Sequence, residues 1–179
     1  FNNDSEEKKI KKVKKYFFNN EQKRSFKELK SFGNKFNVSV LQGVTGSGKT
    51  LVYFEIIKEV IQSNKQALVL LPEIFLTNQF KYRFLEYFGF EPSIWHSKTL
   101  LKKKREIWRG VINNKVKLIV GARSSLLLPF KKLGIIIVDE EHDASYKQDE
   151  SLIYHARDMA ISRASFENIP TVLVTSVPS

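Results

Sequence analysis

The chain has 179 residues, 42% of them hydrophobic and 27% charged, which suits one globular domain with a sizeable buried core. It contains no cysteine, so disulfides and cysteine-based zinc sites are excluded. No apolar run approaches the ~20 residues of a membrane helix, and the charged N-terminus lacks the apolar core of a signal peptide. The expected location is therefore cytoplasmic, with no membrane partner. Thirty basic residues against 19 acidic ones give a net charge of +11, which points to a polyanionic partner. Charge alone does not separate nucleic acid, an anionic membrane surface and a merely lysine-rich composition. The first residue is Phe rather than Met, so a longer parent protein is expected.

In chain order, Asp4 and Glu7 form a capping-box pattern. Ile10, Val13 and Phe17 follow at helical spacing among six lysines over residues 8–15. Residues 1–19 thus read as a basic helix or linker, and 20–179 as the main domain. A second helix is predicted over 21–32, ended by Gly33. Alternation follows, with a strand over 36–41, a helix over 49–62 and a strand over 66–71. A helix over 77–88 stops at Gly89. Next come a short strand over 93–96, a basic helix over 100–111, and apolar strands over 117–120 and 135–138. A helix over 157–165 and a strand over 171–174 close the pattern. Apolar strands alternating with helices predict a three-layer α/β fold with a mostly parallel central sheet.

Gly43, Val44, Thr45, Gly46, Ser47, Gly48, Lys49 and Thr50 fit G-x-x-x-x-G-K-[ST], the phosphate-binding P-loop. The glycines let the backbone curl so that its N–H groups face an anion. The helix predicted to open at Lys49 directs its positive end at the same place. Lys49 is expected to reach the β- and γ-phosphates of ATP, and Thr50 to bind Mg²⁺.

The apolar strand over 135–138 ends in Asp139, Glu140, Glu141 and His142. In an ATPase, Asp139 would hold Mg²⁺ through water and Glu140 would polarise the attacking water. His142, directly after these carboxylates, suits sensing of the γ-phosphate and coupling of it to other motifs. No second His or Cys supports a metal-ligand role for it.

The order of P-loop, then D-E-x-H, is that of superfamily 2 helicases. The connecting segments narrow the match. Residues 71–79, reading LPEIFLTNQ, resemble a motif of the primosomal replication-restart helicases, the PriA family. So do His96-Ser97, Trp108, residues 121–125 (GARSS) with Pro129-Phe130, residues 138–148 (VDEEHDASYKQ) and residues 154–158 (YHARD). Together these blocks cover most of residues 20–179.

The resemblance implies a RecA-like ATP-binding lobe of a 3′-to-5′ DNA helicase that acts in replication restart and primosome assembly. Forked or single-stranded DNA would be its partner, with primosome and single-strand-binding proteins as partners of the full-length protein. Gln22 falls where the family's adenine-reading glutamine lies. Arg123, Ser124 and Ser125 fall in a segment expected to meet the DNA backbone. Tyr146, Lys147, Gln148 and Tyr154 fall in an aromatic-rich loop that couples DNA contact to hydrolysis, where a ring can stack on a base.

Two departures stand out. Ser151-Leu152-Ile153 lacks a further aromatic usual in that loop, and Val177 stands at the threonine of the family's S-A-T-P-S motif. The chain carries motifs of one lobe, so the second lobe with its arginine finger, the N-terminal DNA-binding module and a zinc-binding module are expected elsewhere. Little turnover and no unwinding are expected of this lobe alone. Two other readings stay open here, a restriction-enzyme translocase and a platform with a decayed site. The PEI and YKQ blocks speak against the first. Intact Lys49, Thr50, Asp139 and Glu140 speak against the second.

Overall fold

The computed structural model describes residues 16–44, 46–72, 75–140 and 150–177. Helix α1 (Asn20–Ser31) starts on an Asn19 capping box, α2 (Lys49–Gln62) follows the P-loop, and α3 (Asn78–Phe88) is capped by the Thr77 hydroxyl and closed by Gly89. Helices α4 (Leu101–Ile112) and α5 (Glu150–Glu167) complete the set, with a 3₁₀ turn at Arg123–Leu127. The strands are β1 (Asn37–Val44), β2 (Gln66–Leu70), β3 (Ser93–Trp95), β4 (Leu118–Gly121), β5 (Leu133–Glu140) and β6 (Pro170–Val177).

All six strands are parallel, in the order β1-β6-β5-β2-β4-β3. Every β2 residue is buried, as a central strand covered on both faces requires. Alternation divides the sheet residues between two cores. Ala67, Val69, Ile135 and Ile137 pack with Phe54, Ile57, Phe80 and Phe84 of α2 and α3. Leu68, Ile136 and Val138 pack with Ile107, Val111, Ala160 and Ala164 of α4 and α5. Between α2 and α3 the rings of Phe54, Phe84, Tyr87 and Phe88 form one cluster, with Tyr16 stacked on Tyr87 at 5.5 Å. Burial and the Glu55 carboxylate that its hydroxyl meets push the Tyr87 phenol well above the usual tyrosine range.

The three-layer α/β arrangement is the one the alternating pattern predicts. Several local bounds differ, among them β1, which runs on to Val44, and β5, which spans Leu133–Glu140. Residues 16–19 are not helical, so the predicted N-terminal helix does not reach Phe17, which is exposed; its remainder at 1–15 lies outside the described residues. Helix α5 begins at Glu150 rather than 157, because no Gly or Pro interrupts residues 150–167. It ends before Asn168, whose φ of 52° leaves the helical region. Strand β6 runs on to Val177 because β1 and β5 flank it and pair its extra residues.

Candidate nucleotide-binding site

The phosphate loop sits at the C-terminal end of β1, and Asp139 and Glu140 sit at the same end of β5 with β6 between them. That end of a parallel sheet is where α/β proteins bind ligands. Register fixes the neighbours: Gly43 lies beside Ser176, Val44 beside Val177, Asp139 beside Val174 and Glu140 beside Thr175. The end of β6 is therefore held between the P-loop and the acidic strand end. Val177 pairs with Val44.

Gly46 and Gly48 adopt φ of 79° and 81°, and this left-handed backbone turns the chain into α2. Lys49 is buried, 8% exposed, and its ammonium donates to the carbonyls of Gly43 at 2.8 Å and Val44 at 2.9 Å. Thr50 follows it in the first turn of α2. The hydroxyls of Ser47 and Ser176 are enclosed with no hydrogen-bond partner among the described residues. Buried hydroxyls without partners are costly, and those at the P-loop and beside Gly43 are chemically suited to phosphate oxygens. Thr45 lies outside the described residues.

Asp139 is 4% exposed, and its Oδ2 accepts a 2.7 Å hydrogen bond from the Tyr53 hydroxyl. A carboxylate and the Thr50 hydroxyl are hard oxygen donors of the kind Mg²⁺ prefers, so the residues present fit that ion. Sequence reasoning missed Tyr53. The signal was available, because Tyr53 stands four residues after Lys49 and so on the same face of α2.

Gln22 is buried beside the P-loop, and its amide is engaged. Its Oε1 accepts from the Asn19 backbone N–H at 2.9 Å, and its Nε2 donates to the carbonyls of Ser47 at 3.4 Å and Gly48 at 3.3 Å. This makes Gln22 a tie between α1 and the phosphate loop. An adenine contact by the same amide would require these bonds to be given up. A Cβ on Gly48 would lie 2.2 Å from Gln22 Nε2. Gly48→Ala is therefore expected to strain the loop by ~1–2 kcal/mol, displace Gln22, and weaken nucleotide binding about ten-fold. Fluorescent-nucleotide anisotropy measures this, and affinity within about two-fold of wild type would contradict it.

Arg123 and Ser124 lie exposed on the 3₁₀ turn that follows β4. Ser125 corrects its sequence reading as a DNA contact. It is fully buried and donates to the Ala122 carbonyl at 2.6 Å, so its side chain is held inside the turn. The turn is braced by Arg163 of α5, which donates to the carbonyls of Leu126 and Leu128, lies over the Phe130 ring and pairs with Glu167. His142, Tyr146, Lys147 and Gln148 lie outside the described residues, whereas position 154 falls within α5. No cluster of three metal-ligating side chains forms among the described residues, nor is any described helix long and apolar enough to cross a membrane.

Fold and site together define a RecA-like P-loop NTPase lobe. The chain belongs to the family described as "Type III restriction enzyme, res subunit", which matches residues 8–172. Among curated proteins it is similar to the replication restart protein PriA of Rickettsia felis, 51% identical over 141 residues that make up 79% of this chain and 22% of the relative. The PriA of Bacillus subtilis is 40% identical over 176 residues, 97% of this chain and 22% of the relative. The chain thus spans about a fifth to a quarter of such relatives. Among solved structures, RecG bound to a three-way DNA junction has a TM-score of 0.70 at 24% identity, covering 92% of this chain and 22% of that one. The Hef helicase domain of Pyrococcus furiosus has a TM-score of 0.62 at 18% identity, covering 89% and 32%. These two likenesses bear on the fold.

Proposed function

We propose that residues 20–179 form the ATP-binding lobe of a DNA-dependent ATPase and 3′-to-5′ helicase acting in replication restart, with residues 1–19 as a basic helix or linker. The observation that carries this is the juxtaposition of Lys49 on α2 with Asp139 on β5, tied to the same helix through Tyr53. Lys49, with the loop from Gly43 to Thr50, binds the phosphates, and Gln22 holds that loop in shape. Thr50 and Asp139 hold Mg²⁺, which when bound offsets charge on the phosphate oxygens. Glu140 orients and polarises the attacking water, and His142 couples the γ-phosphate to the neighbouring motifs. Identities of 40% and 51% to replication restart proteins favour this reading over a restriction translocase, although the family description covers such subunits.

DNA meets Arg123 and Ser124 on the exposed 3₁₀ turn, with Tyr146, Lys147 and Tyr154 on the same functional path. Forked or single-stranded DNA is the partner, and primosome and single-strand-binding proteins are partners of the longer protein. Titrating the intact protein with Mg-ATP, with and without forked DNA, tests the reading. Nucleotide binding that is indifferent to Lys49→Ala, or hydrolysis indifferent to DNA, would overturn it. Arg123→Ala is expected to weaken single-strand binding and flatten the slope of log affinity against log salt by ~0.7, the share of one phosphate contact. An unchanged salt slope would remove Arg123 from the interface.

A further inference from the structure

We propose that Tyr53 is a positioning residue for Asp139, and that α2 acts as a spacer setting the distance between phosphate and Mg²⁺ sites. The inference rests on the site reading above and names a part of it that sequence motifs do not contain. Tyr53 is fully buried and Asp139 nearly so, so their 2.7 Å hydrogen bond is made away from water. A hydrogen bond to a buried carboxylate is among the stronger ones available to a neutral donor. It spans 86 positions of sequence and joins the helix after the P-loop to the strand of the acidic motif.

The choice of a phenol has a chemical logic. A lysine or arginine at this place would neutralise Asp139 and compete with a divalent cation. A phenylalanine would leave Oδ2 without this donor. The tyrosine hydroxyl orients the carboxylate and leaves its negative charge in place. Helical geometry supplies the rest. Tyr53 lies four residues from Lys49 and three from Thr50, so all three project over one stretch of α2. Packing fixes the ring itself, which meets Phe54 edge-on at 5.2 Å. One rigid helix therefore presents the phosphate-binding ammonium, the metal-binding hydroxyl and the donor that aims the metal-binding carboxylate.

The test uses the intact protein and a fluorescent ADP, titrated with Mg²⁺ and again in EDTA, for wild type, Tyr53→Phe, Asp139→Asn and the double variant. Melting temperatures are recorded for each. Wild type is expected to bind ADP more tightly with Mg²⁺ than in EDTA. Tyr53→Phe is expected to lose about ten-fold of that gain, as removal of a residue behind a metal ligand does. Its affinity in EDTA is expected to change by less than about two-fold, and the double variant to be no worse than Asp139→Asn, because the two act as one unit. A full Mg²⁺ gain in Tyr53→Phe, additive losses, or an equal fall with and without Mg²⁺ would overturn the positioning role alone. A gain untouched by Asp139→Asn would overturn the site reading, and the inference with it.

Discussion

Lys49→Ala is expected to lower affinity for Mg-ATP by two orders of magnitude or more, with only a small change in melting temperature. Lys49 is 8% exposed, and its ammonium is bonded to the carbonyls of Gly43 and Val44 in the phosphate loop. An ammonium has three N–H donors, and contacts to charged acceptors contribute ~1.5–3 kcal/mol each. Two such contacts to phosphate correspond to about 3 kcal/mol or more, which is over a hundred-fold in affinity. Truncation also removes the loop's own tie at two carbonyls. Those carbonyls lie near the loop surface, where water can replace the lysine, so the cost to folding is modest. Calorimetric titration with a non-hydrolysable ATP analogue measures the first quantity, and thermal unfolding the second. A dissociation constant within about three-fold of wild type would mean that Lys49 does not meet the phosphates. A fall in melting temperature beyond about 5 °C, equivalent to ~1–2 kcal/mol for a domain of this size, would mean that its main role is structural.

The sequence made the layout of the sheet legible because its strongest signals are local and repeated. The runs at 68–71 and 135–138 are short, apolar and, in the second case, β-branched, which suits covered strands, and the structure buries Leu68, Val69, Ile136 and Ile137 completely. The phosphate loop is equally legible, since its glycines are required by backbone geometry and two of them adopt φ near 80°. Interactions between distant segments were not legible. The Tyr53 bond to Asp139 and the Arg163 brace on the 3₁₀ turn each join residues far apart in sequence; helical spacing puts Tyr53 on the face of Lys49, but it does not reveal the partner across the sheet. Ser125 misled for a related reason. The resemblance assigns the whole segment of Arg123, Ser124 and Ser125 to DNA contact, but the tight turn directs the Ser125 hydroxyl inward to Ala122. The resemblance marks Gln22 as an adenine-reading position, but it does not reveal that the amide bonds to Asn19, Ser47 and Gly48.

Gln66→Leu is expected to destabilise the protein by about 3 kcal/mol, although the sequence presents Gln66 only as the first residue of an apolar strand. Its side chain is fully buried at the end of the sheet opposite the P-loop. There Nε2 donates to the carbonyls of Val111 at 3.0 Å and Val116 at 2.8 Å, and Oε1 accepts from the Lys132 N–H at 2.9 Å. One amide thus ties together the end of α4, the approach to β4 and the start of β5. Leucine keeps the volume and removes all three bonds. The Val111 carbonyl retains the Asn114 N–H, so the cost falls mainly on Val116 and Lys132, at ~1–3 kcal/mol for each buried group left unpaired. For a domain of this length that corresponds to a fall in melting temperature of about 6–12 °C. Gln62→Leu, at the exposed end of α2, sets the baseline and is expected to stay within ~0.5 kcal/mol. If Gln66→Leu melts alongside Gln62→Leu, the buried amide is not a structural tie. The position also matters for the site. The pairing of β2 with β5 shifts between Gln66 and Ala67, from Leu133 to Ile135, so β5 carries one extra residue there. That offset sets which β5 residues face α2. Ile135 and Ile137 do, and alternation then turns Asp139 to the same side, toward Tyr53. A slip of one residue would turn Asp139 away from α2. Gln66 holds the start of β5 and Tyr53 holds its end, so the carboxylate that completes the nucleotide site is fixed in phase from both ends of the strand.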